Sequence, residues 1–268
     1  MSLSITGKTA IVTGAAKGIG LAVARHFQAK GANVMFVDID EDTLAAELGA
    51  EARAEGPVRM FTGDLRQKLT IANLLSATID AFDRVDILVN ASRRMAVSDP
   101  LNVEDDAVEM LWQENVMTSL RLSQMTAKRM IAQAEKAQAE GLIGAIINIS
   151  SIAGCQTQPG LLGYSIASAA VDQMTRSLAV ALAPRGIRVN AVAIGSVMSA
   201  SLQASLKDSP DWRDSIVNGT PLGRIASPDE LAEVMQFLAS DASGFMTGQV
   251  LRVDGGRGLL DRVVIPAY

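Results

Sequence analysis

The chain has 268 residues, of which 49% are hydrophobic, and its formal net charge at pH 7 is -5. This length is sufficient for one large α/β core and does not require a second domain. The acidic balance, without a basic run, argues against nucleic acid as a partner, and no apolar stretch approaches the roughly 20 residues of a membrane span. No charged segment followed by a long apolar one is visible at the N-terminus, so we expect a cytoplasmic protein.

The sequence contains one cysteine, Cys155, and one histidine, His26. A lone cysteine excludes an internal disulfide and a multi-cysteine metal site. A lone histidine on a predicted helix argues against a histidine-based triad or a zinc site. We therefore expect no metal in this protein, and the default class is an enzyme or a binding protein.

A glycine-rich turn follows the first predicted strand. Residues 10–12 form an apolar run typical of a strand buried on both faces, and a helical pattern begins near residue 21. Gly14, Gly18 and Gly20 lie between them. Such a turn directs backbone N–H groups and the positive end of a helix dipole to one point, where a phosphate can bind. An ordinary strand-to-helix connection remains the alternative.

Asp38 follows the second predicted strand, residues 33–37, and stands 18 residues after Gly20. A carboxylate at this place can accept hydrogen bonds from the hydroxyls of an adenosine ribose. It would also repel a 2′-phosphate, so the sequence favours NAD over NADP. The alternative is that Asp38 caps a helix or lies in a loop without contacting a ligand.

Strand and helix signals alternate along the rest of the chain. Strands are predicted at residues 58–62, 85–89, 144–149, 187–192 and 249–253, and helices at residues 42–55, 67–82, 104–140 with a break near Gln133, 163–183 and 227–240. This alternation predicts one domain over residues 1–268, a Rossmann-like, doubly wound α/β fold with about seven parallel strands and helices on both faces.

Ligands of such sheets bind beyond the carboxyl ends of the strands, where the strand order reverses. The polar residues that follow the predicted strands would therefore share one rim, namely Gly14, Asp38, Asp64, Asn90, Ser151 and Gly195. Residues 196–220 are rich in Ser, Asp, Gly and Pro and form the candidate substrate loop, or lid. The tail, residues 263–268, is apolar for a terminus, and we expect it to pack on its own subunit or on a neighbouring one.

Two hydroxyl side chains at this rim are candidates for chemistry. Ser151 follows a buried strand, and Tyr164 lies near the start of a helix. A serine hydroxyl can bond a carbonyl or alcohol oxygen, and a tyrosine hydroxyl can exchange a proton with that oxygen. Taken alone, each has a structural alternative, a capping serine and a half-buried tyrosine.

Together these residues resemble the short-chain dehydrogenase/reductase family over nearly the whole chain. The positions that match its motifs are residues 13–20, Asp64, Asn90-Ala91, Asn115, Ser151 and Tyr164, and Asp254-Gly255-Gly256. The resemblance implies hydride transfer between a nicotinamide and the CH–OH or C=O group of a small alcohol or ketone. It makes Tyr164 the acid/base, Ser151 the group that positions the oxygen, and Asn115 a holder of a water relay.

The same resemblance implies a cofactor site and a homotetramer built on the helices at residues 104–140 and 163–183. The residues expected to bind NAD are Gly14, Lys17, Gly18, Ile19, Gly20, Asp38, Asp64, Leu65, Asn90, Ala91, Ser168, Val197 and Ser199.

The chain departs from the family pattern at the position four residues after Tyr164. The family has a lysine there, which bonds the nicotinamide ribose and favours ionisation of the tyrosine, whereas this chain has Ser168. A free tyrosine titrates near pH 10, so only about one in a thousand is ionised at pH 7. Without that charge, alcohol oxidation should suffer more than carbonyl reduction, because oxidation needs the ionised phenol.

Smaller departures lie elsewhere in the site. Ile194 replaces the family's proline, Ser199 replaces its threonine, and Ser92 replaces a glycine after Asn90-Ala91. Arg93 and Arg94 come next. They form either a solvated loop or a site where one of them supplies a replacement cation or binds an acidic substrate.

Two classes of function follow. The first is an NAD-dependent oxidoreductase of the short-chain dehydrogenase/reductase type, with impaired or altered activity. The second is a dinucleotide-binding protein with little turnover that acts as a sensor or an assembly partner. A dehydratase or an epimerase on the same scaffold is a third option that nothing in the sequence demands.

Overall fold

The computed structural model of the chain describes residues 2–52, 55–104, 107–209 and 211–261. Within these ranges one parallel sheet has the strand order β3-β2-β1-β4-β5-β6-β7. Its strands are β1 Thr9–Thr13, β2 Asn33–Asp38, β3 Val58–Thr62, β4 Ile87–Asn90, β5 Gly144–Ser151, β6 Ile187–Ile194 and β7 Val250–Val253. The predicted doubly wound α/β fold is therefore confirmed.

Helices cover both faces of the sheet. They are α1 Gly18–Ala29, α2 Glu41–Leu48, α3 Lys68–Phe82, α4 Val108–Leu111, α5 Thr118–Ala137, α6 Leu162–Leu182, α7 Ala200–Asp208, α8 Asp211–Asn218 and α9 Pro228–Ala239. Alternate residues of β1 point to opposite faces, as a strand requires. Val12 packs in the cluster that contains Phe27 of α1 and Met235 of α9. Ile11 packs in the cluster that contains Leu74 of α3 and Leu122 of α5.

The second helix is shorter than the sequence predicted. The helix α2 ends at Leu48 instead of continuing to residue 55, so the predicted end is wrong. Gly49 follows it with a φ of 53°, a conformation that glycine adopts without strain and that ends a helix. Residues 53 and 54 of the predicted helix lie outside the described residues.

The long helical stretch is interrupted at a different place from the predicted one. No break occurs at Gln133, which lies within α5, so that prediction is wrong. The Gln133 side chain accepts a hydrogen bond from the backbone N–H of Val85, 2.9 Å away. This bond joins α5 to the segment just before β4. The irregularity is instead a π-helical turn, Trp112–Met117, between α4 and α5. Residues 105 and 106 lie outside the described residues.

The candidate substrate loop contains regular structure. Helices α7 and α8 occupy most of residues 196–220, and residue 210 between them lies outside the described residues, as does the tail 263–268. The helical stretch predicted at residues 104–140 runs from Val108 to Ala137, and the first helix begins at Gly18 rather than near residue 21. The remaining predicted boundaries fall within two residues of the observed ones. In the part of the chain that the structure describes, every helix is too short or too polar to cross a membrane.

Candidate active site

The strand order reverses beside β1, whose neighbours are β2 on one side and β4 on the other. At this point the loop after β4, residues 91–94 (the β4 loop), meets the glycine turn after β1. The Thr13 hydroxyl accepts hydrogen bonds from the backbone N–H groups of Ala91 and Ser92, both at 3.0 Å. The two loops are therefore fixed to each other where the predicted ligand rim lies.

Two glycines of the turn, Gly14 and Gly20, have no room for a side chain. Gly14 has a φ of 68°, and a Cβ on it would lie 2.9 Å from the Cα of Ser92. A Cβ on Gly20 would lie 2.1 Å from the Gly14 carbonyl oxygen. The turn thus packs against itself and against the β4 loop.

The N-terminus of α1 has the features of a phosphate cradle. Lys17 occupies the N-cap position, and no side chain in the described part of the chain caps this end of the helix. A Cβ on Gly18 would lie 3.8 Å from the Cβ of Ser199, so the start of α7 faces the turn. Backbone N–H groups at such a helix end bind phosphate. The residues present therefore fit the pyrophosphate of a dinucleotide.

Other members of the predicted cofactor set border this turn. Ile19 packs against the core cluster of α1, and the Lys17 ammonium lies 3.6 Å from the Asp40 carboxylate. The Asp38 carboxylate is held by three backbone N–H groups: Ala16 donates to one oxygen at 2.9 Å, and Ile39 and Asp40 donate to the other. Its negative charge is thereby fixed beside the glycine turn.

Asp64 and Leu65 lie after β3. The Arg66 side chain donates to the Asp64 carboxylate at 2.9 Å, and this hydrogen bond lowers the pKa of that carboxyl. Leu65 is buried in the core.

Asn90 belongs to a buried network at the end of β4. Its side-chain amide donates to Asn148 at 2.8 Å and to Ser123 at 3.0 Å, and Asn148 in turn donates to Thr175. These contacts join β4, β5, α5 and α6 below the rim. Asn90 therefore positions the β4 loop from beneath in this structure.

Asn115 lies in the π-helical turn and contacts the other end of the β4 loop. Its side-chain oxygen accepts from the Arg94 N–H, and its side-chain nitrogen donates to the Arg94 carbonyl oxygen, both at 2.8 Å. π-helical turns are common at functional sites because they redirect side chains. Here the turn brings the Asn115 amide against the loop backbone.

Ser151 and Tyr164 lie next to this network. Ser151 ends β5, and its hydroxyl accepts from the Ala153 N–H at 3.2 Å. Tyr164 lies in the first turn of α6 and is 7% exposed. The Ser168 hydroxyl donates to the Tyr164 carbonyl oxygen at 2.8 Å, so it bonds the helix backbone rather than the phenol.

Arg93 contacts the phenol directly. Its guanidinium donates from one nitrogen to the Ser150 carbonyl oxygen at 2.6 Å and from the other to the Tyr164 hydroxyl. The guanidinium carbon lies 4.8 Å from the centre of the Tyr164 ring. Arg94 instead points to Glu114, 3.5 Å away. The two adjacent arginines therefore have different environments.

The structure adds two residues that the sequence did not single out. Ser150 supplies the carbonyl that holds Arg93, and Asp172 lies on α6 one turn beyond Ser168. Burial raises the pKa of the Asp172 carboxyl, and one of its oxygens has no hydrogen-bond partner among the described residues. Positions 164, 168 and 172 are spaced by one helical turn, a signal that could have indicated a shared face.

Val197 and Ser199 connect the sheet to α7. Val197 is 5% exposed and forms a parallel bridge with Ala226. The Ser199 hydroxyl accepts from the Leu202 N–H at 3.3 Å, as a helix-capping serine does.

Comparisons with known proteins agree with this geometry. A family model described as enoyl-(acyl carrier protein) reductase matches residues 14–257. The chain is similar to the 3-oxoacyl-(acyl-carrier-protein) reductase FabG of Thermotoga maritima, with 31% identity over 95% of this chain and 99% of that protein. It is also similar to the cis-4-hydroxycyclohexanecarboxylate dehydrogenase of Sinomonas cyclohexanicum, with 36% identity over 96% of this chain and 98% of that protein.

Among solved structures, a gluconate 5-dehydrogenase from Burkholderia cenocepacia in complex with NADP and tartrate matches with a TM-score of 0.86 and 28% identity. The match covers 97% of this chain and 98% of that one. The fold is a doubly wound α/β fold, and the relatives that it matches are oxidoreductases. The chain belongs to the short-chain dehydrogenase/reductase family, as its motifs predicted.

The packing of Gly14 against Ser92 leads to a testable prediction. Gly14→Ala should weaken NADH binding at least about tenfold, because the new Cβ both strains the backbone and displaces the β4 loop. Gly7→Ala is a matched control, since Gly7 also has a positive φ, 74°, but apart from its chain neighbours no atom of the described residues lies within 4 Å of its Cβ position. Fluorescence titration with NADH measures the effect. Equal binding by both variants would contradict the described packing.

Proposed function

We propose that this protein is an NAD(H)-dependent oxidoreductase that transfers hydride between the nicotinamide and the CH–OH or C=O group of a small alcohol or ketone. Membership of an oxidoreductase family supports this proposal. The observation that carries it is one chain of contacts. The Thr13 hydroxyl beside the glycine turn binds Ser92, and the next residue, Arg93, binds the Tyr164 hydroxyl.

The proposed roles follow from the positions of the side chains. A bound nicotinamide dinucleotide supplies the hydride acceptor or donor. In the oxidation direction, the Tyr164 phenolate would take the proton of the substrate hydroxyl. In the reduction direction, the phenol gives a proton to the substrate oxygen. Ser151 would bond that oxygen, and Asn115 would hold a water relay against the β4 loop.

The preference for NAD rests on Asp38. Its carboxylate is held by backbone N–H groups next to the glycine turn, where it can still accept from ribose hydroxyls. A 2′-phosphate at that place would meet a fixed negative charge.

Residues 196–220 are proposed as the substrate loop. The approach of Ser199 to Gly18 supports this role, because it brings the start of α7 to the cofactor turn. The homotetramer stays a prediction, which light scattering would test.

The cofactor preference can be measured directly. We expect the parent protein to bind NADH at least about tenfold more tightly than NADPH, in fluorescence titrations at matched ionic strength. Asp38→Asn keeps the shape of the side chain and removes its charge, so the preference for NADH over NADPH should become smaller. Equal affinities of the parent protein for NADH and NADPH would exclude the proposed preference.

The proposed reaction is tested with Tyr164→Phe. The parent protein is screened with NAD and NADH on a panel of small alcohols and ketones, and the variant is then measured on the best substrate. Removal of a general acid/base should lower kcat by about 10²–10⁴ while leaving NADH binding within a few-fold. Retained turnover would rule out Tyr164 as the acid/base. Binding of NADH without turnover of any panel member would favour the alternative, a dinucleotide-binding protein.

A further inference from the structure

The position one helical turn after Tyr164 carries no charge. The Ser168 hydroxyl is 2.8 Å from the Tyr164 carbonyl oxygen and donates to it, so this side chain is directed along the helix. Next to it lies a polar cavity of about 10 Å³, lined in part by Arg93, Asn115, Ser150 and Ser168. That is about the least space that holds one water molecule. Position 168 therefore supplies no cation to the phenol.

A cation reaches the phenol from the β4 loop. Arg93 is the one charged residue among those described around the cavity. Its guanidinium touches the Tyr164 hydroxyl and lies over the ring, 4.8 Å from the ring centre. An arginine remains protonated at any pH at which a protein is folded, so this charge is permanent.

We propose that Arg93 supplies the positive charge that favours the phenolate form of Tyr164, replacing a cation on α6 with one on the β4 loop. This inference rests on the proposed function, since it assigns the group that makes Tyr164 an effective base. It separates the two adjacent arginines, because only the first contacts the phenol.

The loop backbone fixes the guanidinium in place. On one side of Arg93, Ser92 donates its N–H to Thr13, and on the other side Arg94 exchanges two hydrogen bonds with Asn115. The Ser150 carbonyl oxygen then orients the guanidinium itself at 2.6 Å. A charge held in this way acts on the phenol without having to reorganise when the proton moves.

Other charged groups surround this pair. Asp172 on α6 is buried, and Arg93, Arg176 of α6 and Arg252 of β7 act on its carboxyl. Burial raises the pKa of the Asp172 carboxyl, whereas a hydrogen bond with Ser150 and the three arginines lower it. The Glu114 carboxylate lies 3.5 Å from the Arg94 guanidinium and 3.6 Å from that of Arg66.

Binding of an acidic substrate is the competing role for Arg93. The observed contacts favour a role for Arg93 at the phenol, because two nitrogens of its guanidinium already donate to Ser150 and Tyr164. An anion-binding arginine would present those donors to the open space instead. The experiment below separates the two roles.

The test titrates the phenol itself and needs no substrate. The sequence contains two tyrosines, Tyr164 and Tyr268. In a Tyr268→Phe background, the ultraviolet absorbance of tyrosinate therefore reports Tyr164 alone, and adding Tyr164→Phe must abolish the signal. We expect Arg93→Leu to raise the midpoint of this titration by at least about one pH unit, a tenfold weaker ionisation. Arg93→Lys keeps a positive charge, so its midpoint should rise by no more than half as much as that of Arg93→Leu.

The adjacent arginine provides the matched control. Arg94→Leu removes the side chain that points to Glu114 and leaves the backbone contacts with Asn115, so it should keep the titration midpoint of the parent protein. The double variant Arg93→Leu, Ser168→Lys returns a cation to α6 and should lower the midpoint again. An unchanged midpoint in Arg93→Leu, with the folded state verified by circular dichroism, would overturn the inference.

Turnover then distinguishes this inference from the proposed function. On the best panel substrate, Arg93→Leu should lower kcat for alcohol oxidation near pH 7 at least about tenfold and affect carbonyl reduction less, because reduction uses the protonated phenol. A raised KM for acidic substrates with an unchanged titration midpoint would assign Arg93 to substrate binding and contradict the inference. A shifted midpoint without any turnover would support the inference and remove the proposed oxidoreductase activity.

Discussion

The β4 loop is bonded at both of its ends, and this constraint connects the two halves of the site. The Thr13 hydroxyl holds its first residues beside the glycine turn, and the Asn115 amide holds its last residue beside the π-helical turn. The glycine turn packs on the same loop so closely that Gly14 has no room for a Cβ. One short segment of backbone thus contacts the glycine turn directly and the phenol through the Arg93 side chain.

In this arrangement, the positive charge beside the Tyr164 phenol can come from a different element of the structure while the fold stays the same. Helix α6 still presents Tyr164 at the rim, but Ser168 bonds the helix backbone and carries no charge. The β4 loop places the Arg93 guanidinium over the ring, 4.8 Å from its centre. Electrostatic stabilisation depends on the distance between the charge and the reacting oxygen, not on the element that carries the charge. A cation on a loop can therefore stabilise the phenolate in the same way as a cation on a helix.

Much of the fold and part of the site could be predicted from the sequence, because apolar runs, glycines and polar strand ends are local signals. The glycine turn, Asp38 and Tyr164 belong to this class. The side-chain direction of Arg93 could not be predicted, since two consecutive arginines in a loop look alike until Thr13 and Asn115 fix the backbone. The continuity of α5 through Gln133 was also hidden, because it depends on a contact with Val85, distant in sequence.

The most direct test of the account is a crystal structure of the protein grown with saturating NADH. We expect a single dinucleotide whose pyrophosphate lies at the N-terminus of α1 near Gly18, whose adenosine ribose contacts Asp38, and whose nicotinamide lies beside the Tyr164 hydroxyl. A dinucleotide bound elsewhere, or one that reaches Gly18 and Asp38 but leaves its nicotinamide away from Tyr164, would contradict it.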